Sequence, residues 1–138
     1  MKFEDSEISK STNYQKVILN FCTYYACDKY FILEVNEGEH FDQQKLETLI
    51  RSLLDMYSGF NNLAYVANRV NSYSIDPILW SYFNSEDAII IASAIVIYRE
   101  STFFNANLEK QLSNISIKRA SSLKEAIEWI HQLDELQY

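Results

Sequence analysis

From Leu63 to Tyr98 the chain reads LAYVANRVNSYSIDPILWSYFNSEDAIIIASAIVIY, and this stretch decides the class of fold. Its first six residues, Leu63–Asn68, are largely apolar and carry no charge, which is typical of a central strand buried on both sides. Asp76 and Pro77 predict a helix start, because aspartate caps free amides and proline suits the first helical position. We expect this helix to run into the low nineties, as one piece or as two pieces divided at the polar stretch Asn84–Asp87, before a second buried strand at Ala94–Tyr98. A strand, a helix and a second strand predict a parallel crossover unit of an α/β fold.

The segment before this unit predicts a hairpin. Residues 1–13 are polar, charged and aperiodic, so we expect a flexible N-terminal tail. The runs Lys16–Tyr25 and Tyr30–Val35 are rich in β-branched and aromatic residues, and Ala26–Lys29 between them suits a short turn. We therefore predict two antiparallel strands at the start of the sheet.

The clearest helix signal follows this hairpin. Asp42 is a suitable N-cap, and Phe41 with Leu46 matches the hydrophobic staple of a helix start. Six apolar residues recur at three- and four-residue steps and predict one buried stripe: Leu46, Leu49, Ile50, Leu53, Leu54 and Tyr57. Gly59 is expected to end the helix, because glycine readily adopts the left-handed conformation found there.

The C-terminal part predicts two further helices around an edge strand. A helix is expected from about Thr102 to Ser113, followed by a short strand at Ile115–Lys118, where apolar and polar residues alternate. Ser122 and Glu125 form a capping box that starts the last helix. The predicted order is β-β-α-β-α-β-α-β-α. This is an α/β fold in one domain over residues 14–138, with a mixed sheet, an N-terminal hairpin and helices packed on the sheet.

Composition removes several classes of site. The 138 residues include only two glycines and one proline, which excludes a glycine-rich dinucleotide turn, a P-loop and a G-x-S-x-G elbow. His40 and His131 are too far apart for H-E-x-x-H. The formal net charge of −7 argues against nucleic-acid binding, which depends on lysine and arginine. The nearest basic cluster is Lys110, Lys118 and Arg119.

The hydropathy pattern and the two cysteines predict a cytoplasmic protein. No apolar run reaches the roughly 18 residues of a membrane helix, and the first residues, MKFEDSEISKS, are too acidic for a signal peptide. Cys22 and Cys27 lie five positions apart, on opposite faces of the predicted strand, with no metal-binding pattern around them. We expect them to be reduced packing residues. Neither a membrane nor a nucleic acid is expected as a partner.

Two polar clusters resemble functional sites, one a metal-binding loop and the other a catalytic motif. One loop crowds oxygen and nitrogen groups that suit a divalent ion: Glu37, Glu39, His40 and Asp42. Their spacing is not that of a calcium loop, and Asp42 is explained as a cap. Ser121 and Lys124 match the S-x-x-K of serine acylases, but the companion motifs S-D-N and K-T-G are absent. We predict no metal, no cofactor and no catalytic residue.

The order of elements resembles that of the STAS domain, found in bacterial anti-sigma-factor antagonists and in the cytoplasmic tails of sulphate transporters. More locally, NSYSIDPILWSYFNSEDAIIIASAIVIY followed by SIKRASSLKEAIEWI is similar to small stand-alone bacterial STAS-like proteins of the SpoIIAA-like superfamily. Their closing E-A-x-x-W-[IL] helix is matched by Glu125-Ala126-Ile127-Glu128-Trp129-Ile130. The resemblance covers residues 15–135 and implies a non-catalytic regulatory module that acts by protein binding.

The resemblance also implies a partner-contact turn, made of Ser72, Ser74, Asp76 and Pro77. In antagonists of this family the turn resembles D-S-S-G, and phosphorylation of its second serine switches partner binding off. Without gaps, that position falls on Asp76, which no serine kinase modifies. Ser72 or Ser74 takes its place only if the register slips. We therefore expect Asp76 to hold the turn in one constant state, without the family's phospho-switch.

Aromatic residues make up 14% of the chain, with ten tyrosines among them. Trp80, Tyr82 and Phe83 share one predicted helix, and both faces of a helix cannot pack into one core. They therefore form a candidate aromatic surface, unless tyrosines simply cover the helix edges. The leading function is protein binding, in its simplest version as a homodimer through the hairpin edge or this helix. The alternative is a small apolar-ligand or lipid-binding protein of CRAL-TRIO-like character, with aromatics lining a cavity.

Overall fold

A computed structural model describes residues 1–57, 62–79, 89–96, 98 and 116–133. The strands within these residues are β1 (Gln15–Ile18), β2 (Cys22–Ala26), β3 (Tyr30–Val35), β4 (His40–Phe41), β5 (Leu63–Asn68), β6 (Ser74–Ile75), β7 (Ile90–Val96) and β8 (Ser116–Ala120). The α-helices within them are α1 (Glu7–Lys10), α2 (Gln43–Met56) and α3 (Leu123–His131). Short 3-10 turns span Phe3–Asp5 and Pro77–Leu79.

Six of the strands form one mixed sheet in the spatial order β1-β2-β3-β5-β7-β8. The first three are antiparallel neighbours, and the pairs β3/β5, β5/β7 and β7/β8 are parallel. Strands β4 and β6 form a separate parallel pair beside this sheet. The predicted α/β fold with a mixed sheet and an N-terminal hairpin is confirmed, and among the described residues β8 is the last strand of this order.

Apolar side chains cover both faces of the sheet. On one face, α2 packs through Leu46, Leu49 and Leu53 against side chains of β3 and β5. On the other, α3 packs through residues such as Ile127 and Ile130. Every residue of β3 and of β5 is buried, because both strands lie between these helical layers.

The first thirteen residues differ from the predicted flexible tail. They contain a 3-10 turn and α1, and the side chain of Phe3 has no solvent exposure. The ring of Phe3 contacts the rings of Tyr25 and Tyr14, with centroids 4.8 and 5.0 Å apart. The buried aromatic ring of Phe3 anchors a segment that is otherwise largely polar.

The predicted first strand, Lys16–Tyr25, is wrong as a single strand. The chain reverses between β1 and β2, where the backbone N–H of Leu19 donates to the carbonyl of Cys22 at 2.8 Å. Asn20 is the only residue of this reversal with a strong turn preference. The predicted second strand matches β3, and the predicted turn between them holds Lys29 with a positive φ of 65°.

The helix predicted to run into the low nineties is also corrected, because Ile90–Val96 forms β7. The strand begins four residues earlier than predicted. In a short apolar run that is buried on both sides, the spacing of apolar residues does not distinguish a helix from a strand. Here the three consecutive isoleucines, Ile89–Ile91, favour a strand because they are β-branched. Gly59, the helix expected over residues 102–113 and Lys110 lie outside the described residues.

The predicted N-caps of α2 and α3 are confirmed. Asp42 accepts a hydrogen bond from the backbone N–H of Lys45 at 3.0 Å, and Ser122 accepts one from that of Glu125 at 3.1 Å. The Glu125 carboxylate accepts from the backbone N–H of Ser121, one residue before the cap. The prediction that Leu54 belongs to the buried stripe of α2 is wrong, since this residue is 47% exposed. It lies a full 100° around the helix from Leu53, the residue at the centre of the stripe.

Candidate functional site

The predicted partner-contact turn follows β5 and is fixed by its backbone to a neighbouring loop. The N–H of Ser74 donates to the carbonyl of Glu39 at 3.0 Å, and that of Asp76 donates to the carbonyl of Phe41 at 3.0 Å. One step earlier, the carbonyl of Ser72 accepts from the N–H of Gly38 at 2.8 Å. Residues 71–79 and loop 36–42 therefore form one unit, called here the turn surface.

Side chains of the loop reinforce this unit. Glu37 accepts a hydrogen bond from the backbone N–H of Ser72. Asn71 donates to the carbonyl of Val35, at the end of β3, at 3.0 Å. Gly38 has a φ of 81°, which glycine adopts without strain, so the loop can turn tightly here. Sequence reasoning did not assign loop 36–42 to the turn, although Gly38 after two polar residues is a turn signal.

The turn surface presents a mixed set of exposed side chains over a buried base. Ser72, Ser74 and Pro77 are exposed, and Ile78 is 58% exposed. Leu79 is buried beneath them. A rigid backbone with hydroxyls and one large apolar side chain facing solvent suits recognition of another surface, because little ordering is needed on binding.

His40 and Ser74 face each other across β4 and β6, with 2.7 Å between Nδ1 and Oγ. A serine nucleophile needs a base that is itself oriented and shielded from water. Both of these side chains are exposed, so water competes for the same hydrogen bonds. The contact orients the Ser74 hydroxyl on the turn surface and does not assemble a hydrolytic pair.

Asp76 acts inside the turn. Its Oδ1 atom accepts a hydrogen bond from the backbone N–H of Ile78 at 3.1 Å, which caps the 3-10 turn Pro77–Leu79. The side chain is half-buried, and its position is that of a structural capping residue. The candidate aromatic surface, Trp80, Tyr82 and Phe83, lies outside the described residues.

Three of the four candidate metal ligands are carboxylates, and all three have protein partners. Glu37 and Asp42 accept from backbone N–H groups, and Glu39 forms an ion pair with Lys45 at 3.2 Å. Over residues 1–57, 62–79, 89–96, 98 and 116–133, no three potential metal ligands converge. In the S-x-x-K motif, Ser121 and Lys124 flank the cap of α3.

An apolar cavity of about 30 Å³ lies between α2, the sheet and the turn surface. Phe31, Leu46, Tyr73 and Ile75 are among its lining residues. Sites for small molecules usually measure roughly 300–1,000 Å³, and one water needs roughly 10–15 Å³. This cavity therefore has room for water-sized molecules and not for a lipid chain.

The two thiols are buried on opposite faces of the sheet, Cys22 towards α2 and Cys27 towards α3. Burial raises the pKa of Cys22 to about 12 and that of Cys27 to about 11. Because the thiolate is the reactive form, these groups are poor nucleophiles near neutral pH. No helix in the described part of the chain is long and apolar enough to cross a membrane.

Comparison with known proteins gives a likeness of fold. No protein-family model matches the chain, and no curated protein matches its sequence. A solved structure that matches is an uncharacterized protein of the DUF3478 family from Shewanella loihica PV-4, described as having a SpoIIAA-like fold. It is 8% identical, with a TM-score of 0.52 over 85% of this chain and 91% of that one. This chain therefore has the SpoIIAA-like fold, the STAS-like fold expected from the order of its elements.

Proposed function

We propose that the chain is a non-catalytic STAS-like regulatory module that binds a protein partner through the turn surface. The observation that carries the proposal is that Ser72, Ser74 and Pro77 are exposed while their backbone is paired to loop 36–42. A surface that is already ordered loses little entropy when a partner binds. Trp80, Tyr82 and Phe83 follow directly in sequence and are proposed to extend the contact.

A groove beside the turn surface supports this assignment. It measures about 410 Å³ and runs between α2 and the turn, with Ile78, Leu79 and Ile50 among its lining residues. Glu47 and Arg51 also line it, so apolar and charged groups of both signs are available. Such a mixture is typical of non-obligate protein interfaces.

Within this proposal, Asp76 keeps the turn in one conformation and the family's phospho-switch does not operate. The Asp76 carboxylate accepts a hydrogen bond from the backbone N–H of Ile78. In the antagonists, the position matched by Asp76 holds the serine that is phosphorylated. Ser72 and Ser74 contribute as contact residues. The net charge of −7 and the two reduced cysteines support a cytoplasmic setting with a protein, rather than a nucleic acid or a membrane, as the partner.

Site-specific photo-crosslinking in a bacterial cell tests the proposal. A photoreactive amino acid replaces Ile78 on the turn surface or, as the matched control, Ile18, which is 70% exposed on the edge strand β1. We expect a protein adduct from position 78 and none from position 18. Adducts from position 18 alone, or from neither position, contradict the proposal.

The mass of the adduct decides between a second copy and a different partner. A homodimer doubles the mass of the chain, and a standard interface would bury about 800 Å² on each subunit. A doubled mass from position 78 supports self-association through the turn surface. The same product from position 18 supports instead a dimer through the hairpin edge.

A further inference from the structure

Residues 1–10, called here the N-terminal strap, lie on the face of the sheet opposite to α2. Phe3 is its anchor, fully buried among residues that include Tyr25 and Ile32. The next residue, Glu4, accepts a hydrogen bond from the Tyr25 hydroxyl at 3.0 Å and pairs with Lys16 at 2.8 Å. An aromatic side chain followed by an acidic one is thus recognised by specific partners.

The backbone of the strap is bound in the way that a protein binds a peptide ligand. The N–H of Phe3 donates to Oε2 of Glu34 at 2.7 Å. The carbonyl of Met1 accepts from Nδ2 of Asn68 at 3.0 Å and lies 3.3 Å from the Tyr98 hydroxyl, whose single proton it shares with Oδ1 of Asn68. A backbone donor and a backbone acceptor of the strap are therefore both hydrogen-bonded to side chains at one end of the sheet.

The three side chains that contact the strap backbone lie on, or just after, neighbouring parallel strands. Glu34 and Asn68 lie near the carboxyl ends of β3 and β5, and Tyr98 lies just beyond β7. In open α/β sheets this carboxyl edge is where ligands bind. A carboxylate on an otherwise apolar strand is costly to bury unless it is hydrogen-bonded, and Glu34 is only 6% exposed.

These side chains are also hydrogen-bonded to one another. Asn68 donates through Nδ2 to Glu34 at 2.7 Å, and its Oδ1 accepts from the Tyr98 hydroxyl at 2.7 Å. The three side chains thus contact one another, and Glu34 and Asn68 each make a further hydrogen bond to the strap. Such preorganisation is characteristic of a binding site.

The rest of the strap has few buried apolar contacts, since its other buried side chains, Ser6 and Ser9, are polar. Ile8 is only half-buried, and the side chains of Glu7 and Lys10 are 94% and 73% exposed. Open grooves of about 630 and 650 Å³ lie beside α1, and residues of α3 line both. A segment with few buried apolar contacts opens at a lower free energy than the sheet that it covers.

We propose that this carboxyl edge is a peptide-binding site, occupied by the strap and open to exchange for a peptide segment that carries an aromatic residue followed by an acidic one. The strap acts as a tethered competitor for this site. The site lies on the opposite face from α2 and does not depend on the turn surface as a partner site.

The test uses the full chain and a synthetic peptide, MKFEDSEISK, labelled with a fluorophore at its C-terminus. Phe3→Ala in the chain removes the anchor of the strap, and Ile8→Ala is the matched control that keeps it. By fluorescence anisotropy, the peptide should bind the Phe3→Ala chain at least about tenfold more tightly than the wild type or the control. A peptide with alanine in place of its phenylalanine should not bind. Equal binding to all three folded chains overturns the proposal.

A second measurement decides the matter if Phe3→Ala prevents folding. In native-state hydrogen exchange of the wild type, the Phe3 amide should exchange at least about a hundredfold faster than the slowest amides of β3 and β5, through a local opening. If the Phe3 amide exchanges its hydrogen only through global unfolding, the strap is an integral part of the core. That result would refute the proposal that a peptide can replace the strap.

Discussion

The carboxylate of Glu34 accepts a 2.7 Å hydrogen bond from the backbone N–H of Phe3, 31 residues earlier in the chain. The same oxygen atom accepts from the amide of Asn68 at 2.7 Å. Both bonds are buried, and a buried donor that loses its acceptor is destabilising. Glu34 therefore links the N-terminal strap to the carboxyl edge of the sheet.

Replacement of this carboxylate should lower stability. Glu34→Ala leaves the Phe3 N–H and the Asn68 amide without their acceptor, and we expect the free energy of unfolding to fall by about 1–3 kcal/mol. Urea denaturation measures this change. The matched control is Glu47→Ala on the exposed side of α2, which should change stability by less than about 0.5 kcal/mol. Equal effects of the two substitutions would contradict the structural role of Glu34.

Stability should also fall in alkaline solution. Burial raises the pKa of Cys27 to about 11 and of Cys22 to about 12, whereas unfolded thiols titrate at about 8.5. The folded pKa is the higher one, so this contribution is fully present below the unfolded pKa and is lost as the pH rises towards the folded pKa. Between about pH 9 and 11, each thiol should lower the free energy of unfolding by up to about 1.4 kcal/mol per pH unit.

The control for this pH dependence is the variant Cys22→Ala/Cys27→Ala. Urea denaturation at several pH values should give a flatter decline for this variant over the same interval. Burial also raises the pKa values of Tyr25, Tyr30 and Tyr57, so some decline remains at higher pH. An identical slope with and without the thiols would show that they are not protected in the folded state.

Helix caps and central strands could be predicted from sequence because their signals are local. Asp42 and the run Leu63–Asn68 are recognisable from a few adjacent residues, and both are confirmed. The strap could not be predicted, since its single anchor, Phe3, stands among polar residues and meets Glu34 only in the folded chain. The split of the first strand was missed because Asn20 is the one turn residue within a long apolar run.

Only one of the two segments of the turn surface could be predicted from the sequence. Resemblance to the family pointed to Ser72, Ser74, Asp76 and Pro77, but not to the loop that holds them. That loop is joined through β4 and β6, which are only two residues long and have no periodic pattern. Contacts such as that between His40 and Ser74, 34 residues apart, depend on topology and leave no signal in adjacent residues.

Asp76 should be replaceable by asparagine. An amide oxygen caps a turn as well as a carboxylate does, so Asp76→Asn should change the free energy of unfolding by less than about 0.5 kcal/mol, whereas Asp76→Ala should lower it by about 1 kcal/mol. Thermal or urea unfolding measures both. Equal losses in the two variants would show that the charge of Asp76, and not its hydrogen bond to Ile78, matters.

The lipid-carrier alternative predicts a bound molecule in the purified protein. The cavity of about 30 Å³ under the turn surface is too small for one, and the larger grooves of about 410, 630 and 650 Å³ among the described residues are open to solvent. Native mass spectrometry of freshly purified chain should therefore show the mass of the polypeptide alone or of protein complexes. A stoichiometric small-molecule adduct would favour the alternative over the regulatory module.

The most direct test of the turn surface is calorimetric titration with the partner recovered by crosslinking at position 78. Ser72→Arg places a bulky charge on the turn surface, and Ser121→Arg places the same group before α3, on the other layer. We predict that Ser72→Arg weakens binding at least about tenfold, or by about 1.4 kcal/mol, while Ser121→Arg binds as the wild type does. Equal affinities for all three chains would contradict recognition through the turn surface.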